Sequence, residues 1–272
     1  MGVLLALFEA GVEAPAALIG ASVGALNATT IAAYPSAAGA QMLRQIWMSA
    51  LARSVFQAHP VGILWSRLRG QQITALPGTN LGRLVSRQQE LLGISAFEQL
   101  AVPLTVVATD INAGRPHLFK SGPLTPALLA SAAIPGVFPP VVQDGRAYYD
   151  GGIVENTPLS LAVEEGAREV LAISLMAGGE LEGALSWGEL MARTLQLALH
   201  HQMLSEYERL SERTRMVVLC PVSAPTEGWK MEKGHTEAVI DRARVATSRL
   251  LATKGSRLFK HSGVHYLDLD VH

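Results

Sequence analysis

The feature that most constrains the fold of this chain is a Gly-Ala-Ser-Val-Gly segment at residues 20–24. Apolar residues precede it at 16–19, and a helix-forming run follows from 23 to 33. A strand that turns sharply through a serine into a helix is a nucleophile elbow. Glycine beside the serine tolerates backbone angles that other residues avoid. The pattern predicts that Ser22 lies at such a turn.

The helix after Ser22 would direct its first backbone N–H groups toward a group bound to the serine. Negative charge that develops on such a group would then be stabilised. We expect the N–H of Val23 to be one donor to an oxyanion, with Gly20 and Gly24 completing the elbow backbone.

A second motif, Asp150-Gly151-Gly152, ends a strand predicted at residues 146–149. Open α/β sheets place their chemistry at such strand ends, although an Asp-Gly pair alone is also typical of a plain turn. Together with the elbow, the motif predicts a serine whose proton is removed directly by Asp150. Such an aspartate needs a low-polarity pocket that raises its pKa.

Composition favours a single α/β domain over residues 1–272. About half of the 272 residues are apolar and the formal net charge is −1, which argues against a nucleic-acid binder. Predicted strands alternate with helices, which implies a mostly parallel sheet covered by helices. Helices predicted at 40–57 and 61–68 would form a helical cap-like segment at about 40–90.

No metal or other cofactor is predicted. The single cysteine, Cys220, follows the apolar run 216–219 and is expected to be an inert core residue. His261 and His265 have the spacing of metal ligands on a helix, but Gly263 lies between them and the segment reads as a strand.

The apolar N-terminus has no basic residues ahead of it, so we expect no secretory signal and a cytoplasmic location. Residues 14–89 contain no Asp or Glu, yet they include several arginines and three interleaved aromatics. These arginines could be solvated on a helical cap whose aromatics are core. Alternatively, they form a basic surface that contacts anionic lipid headgroups peripherally. The residues concerned are Arg44, Arg53, Arg67, Arg69, Arg83, Arg87, Trp47, Phe56 and Trp65.

Three segments together resemble the patatin-like acyl hydrolases, including the cytosolic phospholipase A type. They are GASVGALN at 20–27, ASAAIPGVFPP at 130–140 and DGGIVENTP at 150–158. The resemblance covers about residues 1–175. It implies a three-layer αβα fold and a Ser–Asp dyad, with Ser22 as nucleophile and Asp150 as base. The implied substrates are acyl esters of lipids, cleaved through an acyl-enzyme, with the 130–140 segment as scaffold beside the site.

The resemblance also implies a Gly-rich loop at the end of a first strand, upstream of the helix predicted at 1–10. That loop supplies most of the oxyanion hole in the family, and this sequence begins after it. We therefore expect a chain lacking that strand and loop, and the simplest hypothesis is a start assigned too late, at Met1. The alternative function is a non-catalytic lipid- or acyl-binding protein.

A second alternative is a Ser-His-Asp α/β-hydrolase. Its serine follows several strands, and the segment before Ser22 is too short to contain them. Six histidines lie downstream of Asp150, but none belongs to a recognisable catalytic motif. They are His200, His201, His235, His261, His265 and His272.

Overall fold

The computed structural model describes residues 1–55, 76–179, 185–222 and 233–270. Contacts divide the chain into two compact units. The site unit is Ala14–Asn156, and the terminal unit combines Met1–Glu13 with Thr157–His272. Organisation as a single domain stays a prediction.

Helices and strands alternate along most of the chain. The described residues also include two short 3-10 helices, Phe97–Gln99 and Gly255–Phe259. In chain order the elements are α1 Gly2–Glu9, β1 Leu18–Ala21, α2 Val23–Ala33, α3 Ala37–Met48, α4 Ala50–Ser54, α5 Thr79–Leu92, β2 Leu104–Asp110, β3 Arg115–Phe119, α6 Leu124–Ser131, β4 Val141–Gln143, β5 Arg146–Asp150, α7 Gly152–Glu155, α8 Leu159–Glu164, β6 Glu169–Ile173, α9 Trp187–Leu210, β7 Arg215–Val222, α10 Lys233–Lys254 and β8 Gly263–Asp268.

The sheet of the site unit is organised around β2, which is buried along its whole length. One edge of β2 pairs antiparallel with β3. The other edge is shared by two strands. β1 pairs parallel with residues 104–107, and β5 pairs antiparallel with residues 108–110. The ends of β1 and β5 therefore meet on one edge of a single strand, and β4 extends the sheet beyond β5.

The sheet of the terminal unit consists of β6, β7 and β8, all parallel. Side chains of β7 alternate between two apolar clusters, as the pleat of a strand requires. Met216 and Val218 pack with residues of α8 and α9, whereas Val217 and Leu219 pack with residues of α1 and α10. Helices therefore cover both faces of this sheet, and the predicted α/β class is confirmed.

Local structure departs from the sequence prediction in the helical segment. The helix predicted at 40–57 is instead two helices, α3 and α4, separated at Ser49. Serine is a favoured N-cap, and the Ser49 hydroxyl accepts the N–H of Ala52 at 3.1 Å, which begins the second helix. The helix predicted at 61–68 lies outside the described residues. Strand β4 has too short an apolar run to have been predicted.

Within the described ranges, every helix is too short or too polar to cross a membrane.

Candidate active site

The pairing of β2 brings Ser22 and Asp150 together, although they are 128 positions apart in sequence. Ala21 at the end of β1 pairs with Val107, and Asp150 at the end of β5 pairs with the next residue of β2, Ala108. The residue that follows Ala21 therefore reaches the end of β5. The Ser22 hydroxyl donates a hydrogen bond to Asp150 Oδ2 at 2.5 Å.

Ser22 occupies an unusual backbone conformation, with φ of 54° and ψ of −130°. Few residues other than glycine adopt a positive φ, and such a position costs about 1–3 kcal/mol. The chain leaves β1, turns at Ser22 and enters α2 at the next residue. A Cβ at Gly20 would lie 2.6 Å from the Gly24 carbonyl oxygen, so only glycine fits there. The predicted strand–serine–helix geometry is present.

The space beside Ser22 is open on the side of α2. A Cβ built on Gly24 would meet no atom within 4 Å. The first N–H groups of a helix have no partner within that helix. Across the described residues, the N–H groups of Val23 and Gly24 make no hydrogen bond. These two donors can therefore serve an oxygen atom of a bound ligand.

Asp150 is buried, with 6% of its surface exposed. Its carboxylate and its main-chain carbonyl both accept hydrogen bonds. Its Oδ1 accepts the N–H of Gly152 at 2.7 Å, and its main-chain carbonyl accepts the Thr109 hydroxyl at 2.8 Å. Burial raises the pKa of Asp150 to about 6, although the hydrogen bonds from Ser22 and Gly152 act in the opposite direction. At pH 7 the carboxylate is largely ionised and is a stronger base than an ordinary aspartate.

Both glycines after Asp150 are required by close approach of other atoms. A Cβ at Gly151 would lie 2.2 Å from the Val107 carbonyl oxygen and 3.1 Å from the Ala21 Cβ. A Cβ at Gly152 would lie 3.0 Å from Asp150 Oδ1, the atom that its own N–H bonds. The motif therefore lets the chain pass close to the end of β1 and still hold the carboxylate.

The C-terminal end of α6 contacts both sides of this site. The Ser131 hydroxyl accepts the N–H of Ser22 at 2.9 Å. The carbonyl of Ser131 accepts the N–H of Gly151 at 3.2 Å, and the carbonyl of Ala133 accepts the N–H of Asp150 at 2.9 Å. Unpaired carbonyls at the end of a helix need partners of this kind. The 130–140 segment thus lies directly beside the two side chains.

Two other aspartates of the site unit, Asp110 and Asp144, have structural roles. Asp110 Oδ1 accepts the N–H groups of Asn112 and Ala113, which makes the turn after β2. Arg146 bonds the other oxygen of Asp110 at 2.6 Å. Burial alone would raise the pKa of Asp110, but Arg146 and the two backbone bonds outweigh it and the pKa is lowered. Asp144, at φ of 51°, turns the chain between β4 and β5.

Cysteine and histidine side chains of the terminal unit form no metal cluster within the described residues. Cys220 is fully buried, and burial raises the pKa of its thiol to about 11, as expected of an inert core cysteine. His200 lies 3.2 Å from the Tyr266 hydroxyl, and His265 lies 3.3 Å from the Lys254 ammonium. His261 precedes β8 and His265 lies in it, so the two are not on a helix.

The arginine-rich stretch at 14–89 is partly described. Trp47 is buried, and its indole N–H donates to Asn27 Oδ1 at 2.8 Å, so this aromatic belongs to the core. Arg83 and Arg87 are exposed on α5, and Arg87 pairs with Glu90 at 3.0 Å. Contact of this surface with lipid stays a prediction. Outside the described residues lie Phe56, Trp65, Arg67 and Arg69.

Sequence reasoning did not identify the roles of Ser131 and Thr109. Each hydroxyl bonds the backbone of a predicted site residue, Ser22 in one case and Asp150 in the other. The available signal was a polar side chain within an apolar segment, at 127–134 for Ser131 and at 104–109 for Thr109. That signal indicates burial with a partner but does not identify the partner.

Comparisons with known proteins agree with the motifs. A family profile described as "Patatin-like phospholipase" matches residues 1–163. An uncharacterized NTE family protein of Mycobacterium bovis is 38% identical over 109 residues, covering 40% of this chain and 30% of that protein. Patatin-like phospholipase domain-containing protein 7 of Mus musculus is 27% identical over 235 residues, covering 82% of this chain and 16% of that protein. The chain thus spans less than a third of the length of these relatives.

Proposed function

Because this chain belongs to the patatin-like phospholipase family, we propose that it is a lipid acyl hydrolase of the phospholipase A or esterase type. In this proposal Ser22 is the nucleophile and Asp150 the base of a catalytic dyad. The observation that carries the proposal is the 2.5 Å hydrogen bond from the Ser22 hydroxyl to Asp150 Oδ2. A serine hydroxyl becomes a useful nucleophile only when a base is positioned to take its proton.

The reaction begins when Asp150 Oδ2 takes the hydroxyl proton and Ser22 Oγ attacks the ester carbonyl carbon. The carbonyl oxygen becomes an oxyanion, which the N–H groups of Val23 and Gly24 can stabilise at the start of α2. The C–O bond to the leaving alcohol then breaks, and Asp150 returns the proton to that alcohol. The product is an acyl group esterified to Ser22.

Water completes the cycle. Asp150 takes a proton from the water as its oxygen attacks the acyl carbon, and Ser22 leaves with that proton restored. The raised pKa of Asp150 suits this double role, because the carboxylate must both accept and release a proton near neutral pH. Direct contact between the two side chains leaves no imidazole between them, which favours the dyad over a Ser-His-Asp triad.

The test is labelling with a fluorophosphonate probe, together with hydrolysis of p-nitrophenyl butyrate and of phosphatidylcholine vesicles. We expect the probe to modify Ser22, and labelling to disappear in Ser22→Ala and in Asp150→Asn. Ser86→Ala is the matched control, because Ser86 is exposed on α5 in the same unit. A folded wild-type protein that neither labels nor hydrolyses either substrate would overturn the proposal. Vesicle binding by that protein would then support the lipid-binding alternative.

Histidine substitutions distinguish the dyad from the triad. Under the dyad, replacing each of the eight histidines singly by glutamine leaves kcat/KM within about twofold of the wild type. A loss of about 10³-fold or more at one of them, in a folded variant, would favour a triad.

A further inference from the structure

We propose that Ser131 is a positioning residue whose hydroxyl holds the backbone of Ser22 in the orientation that directs Oγ at Asp150. This inference rests on the proposed function, because it concerns the same reaction. Ser131 is not expected to contact substrate. Its role is to fix the peptide group from which the nucleophile projects.

The hydroxyl of Ser131 is fully committed to two backbone groups. It donates to the Val107 carbonyl at 2.6 Å and accepts the N–H of Ser22 at 2.9 Å. The residue has no exposed surface, and its bond to the Val107 carbonyl is buried. A hydroxyl that donates in one direction and accepts in another has a fixed rotor.

The Ser22 N–H lies where the chain has left β1 and has not yet entered α2. Regular secondary structure therefore supplies it with no acceptor, and the Ser131 hydroxyl is its partner. A partly buried N–H without an acceptor is costly, so removal of this bond favours rotation of the peptide group toward another partner. That rotation would carry the Ser22 Cβ and Oγ away from Asp150.

The Ser131 hydroxyl links the Ser22 N–H to the Val107 carbonyl, and we call these two hydrogen bonds the Ser131 bridge. Val107 is the residue of β2 that pairs with Ala21, the last residue of β1. Ser131 thus ties the turn to the same point of β2 that fixes the end of the strand. The positive φ of Ser22 is held by two contacts, the pairing of β1 with β2 and the hydrogen bond from the Ser22 N–H to Ser131. Strained conformations persist only where the surroundings determine them in this way.

The test compares three variants on one helix. Ser131→Ala removes both hydrogen bonds, and Ser131→Cys keeps the approximate size with a weak donor and acceptor. Thr125→Val is the matched control. It removes a hydroxyl of α6 that bonds the Gln89 side chain at 3.0 Å and does not contact the elbow.

We expect Ser131→Ala to lower kcat by about 10- to 100-fold with KM within about twofold, because a small displacement of the nucleophile has effects of this size. Ser131→Cys should be intermediate and Thr125→Val unchanged. The acid limb of the pH–rate profile should also move to higher pH in Ser131→Ala. The reason is that the hydrogen bond from Ser22 lowers the pKa of Asp150, and a displaced hydroxyl no longer does so. A general loss of packing would instead expose Asp150 to water and move that limb to lower pH.

Amide hydrogen exchange at Ser22 gives a second measurement that does not depend on turnover. Its N–H should exchange at least about tenfold faster in Ser131→Ala than in the wild type, with the later amides of α2 unchanged. The proposal is overturned if folded Ser131→Ala keeps wild-type kcat, or keeps Ser22 protection. It is also overturned if kcat falls while the acid limb stays in place. A wild type without activity would instead contradict the proposed function, and the exchange result would still decide whether Ser131 holds the turn.

Discussion

The central strands of the two sheets, β2 and β7, show how strand direction decides where chemistry can occur. Both strands are largely buried. β7 has a parallel neighbour on each edge and apolar clusters on both faces. β2 has one edge divided between a parallel strand and an antiparallel strand. Parallel strands end side by side, whereas β1 and β5 approach from opposite directions and end against each other. The second arrangement places the two strand ends at consecutive residues on one edge of a third strand.

The buried polar groups differ in the same way. We call the place where β1 and β5 end against β2 the junction. Three polar residues are buried there, and they are hydrogen-bonded to one another's backbone or to the elbow: Thr109, Ser131 and Asp150. On β7 the buried ionisable side chain is Cys220, whose raised thiol pKa leaves it neutral. A satisfied polar network can position reacting groups, whereas an apolar sheet contributes stability.

The largest effect is expected from Asp150→Asn. The amide cannot take a proton from Ser22, so kcat/KM for p-nitrophenyl butyrate should fall by about 10⁴-fold. The fold should survive, because the side-chain carbonyl can still accept the N–H of Gly152. Activity within about tenfold of the wild type would show that another group is the base, and circular dichroism checks the fold.

The same variant should show that the carboxylate is held at a cost to stability. The folded-state pKa of about 6 lies above the ordinary value of 3.8, so ionisation favours the unfolded chain. As pH rises from 4 to 8, the unfolding free energy of the wild type should fall by about 2 kcal/mol relative to Asp150→Asn. Urea unfolding of both proteins across this range measures the difference. Parallel curves would contradict it.

A smaller effect is expected from moving the end of β5 away from β2 at the junction. In Gly151→Ala the new Cβ would lie 2.2 Å from the Val107 carbonyl oxygen, so the end of β5 must shift. We expect kcat to fall by about 10²-fold and the unfolding free energy by about 1–3 kcal/mol. Gly24→Ala is the stability control, because its Cβ enters open space within a helix and should not destabilise the fold. Equal stability of the two variants would mean that the junction tolerates a larger separation.

The pH dependence of the wild type is the next test. Asp150 must be ionised to accept the Ser22 proton, and its pKa is about 6. The rate should be half-maximal near pH 6 and should fall about tenfold for each further unit of acidification. The profile of kcat/KM between pH 4 and 8 measures this. A limb near pH 4 would mean that the carboxylate is solvated in the active protein.

The smallest effect is expected in the terminal sheet. Cys220→Ala removes a buried sulfur between β7 and its helices and should cost about 1–2 kcal/mol of unfolding free energy. We expect kcat and KM to stay within about twofold, and the wild-type thiol to react slowly with maleimide at pH 7. A Cys220→Ala protein that loses catalysis without losing stability would contradict the conclusion that the terminal sheet contributes stability and not catalysis.

The sequence predicted the elements that carry the two motifs because each has strong local signals. Backbone atoms within 3.0 Å of the absent Cβ positions require glycine at Gly20 and Gly151, side-chain oxygens crowd Gly152, and Gly24 has open space. Local signals also predicted the strand at 146–149, which is β5. They did not predict that β5 would lie on the same edge of β2 as β1, since that pairing depends on contacts between distant segments.

The division of the helix predicted at 40–57 shows the opposite problem. The local signal for a second helix was present at Ser49, but the surrounding sequence favours one continuous helix. Ser49 is a strong N-cap, but it stands within a continuous helix-forming run. The bridge formed by Ser131 needed more than a local signal. Its partners, Ser22 and Val107, come from two other segments of the chain, and a buried hydroxyl in sequence gives no direction.

The edge of β2 that β1 and β5 share sets the distance between the Ser22 hydroxyl and the Asp150 carboxylate. Ala21 pairs with Val107 and Asp150 pairs with Ala108, which is the next residue of the same strand. The spacing between hydroxyl and carboxylate is therefore set by a single peptide unit. The surface turns between these strands, such as the one at 111–114, can therefore lengthen or shorten in related chains without moving the pair. A one-residue insertion between 107 and 108 would separate it, although every motif residue would remain in place.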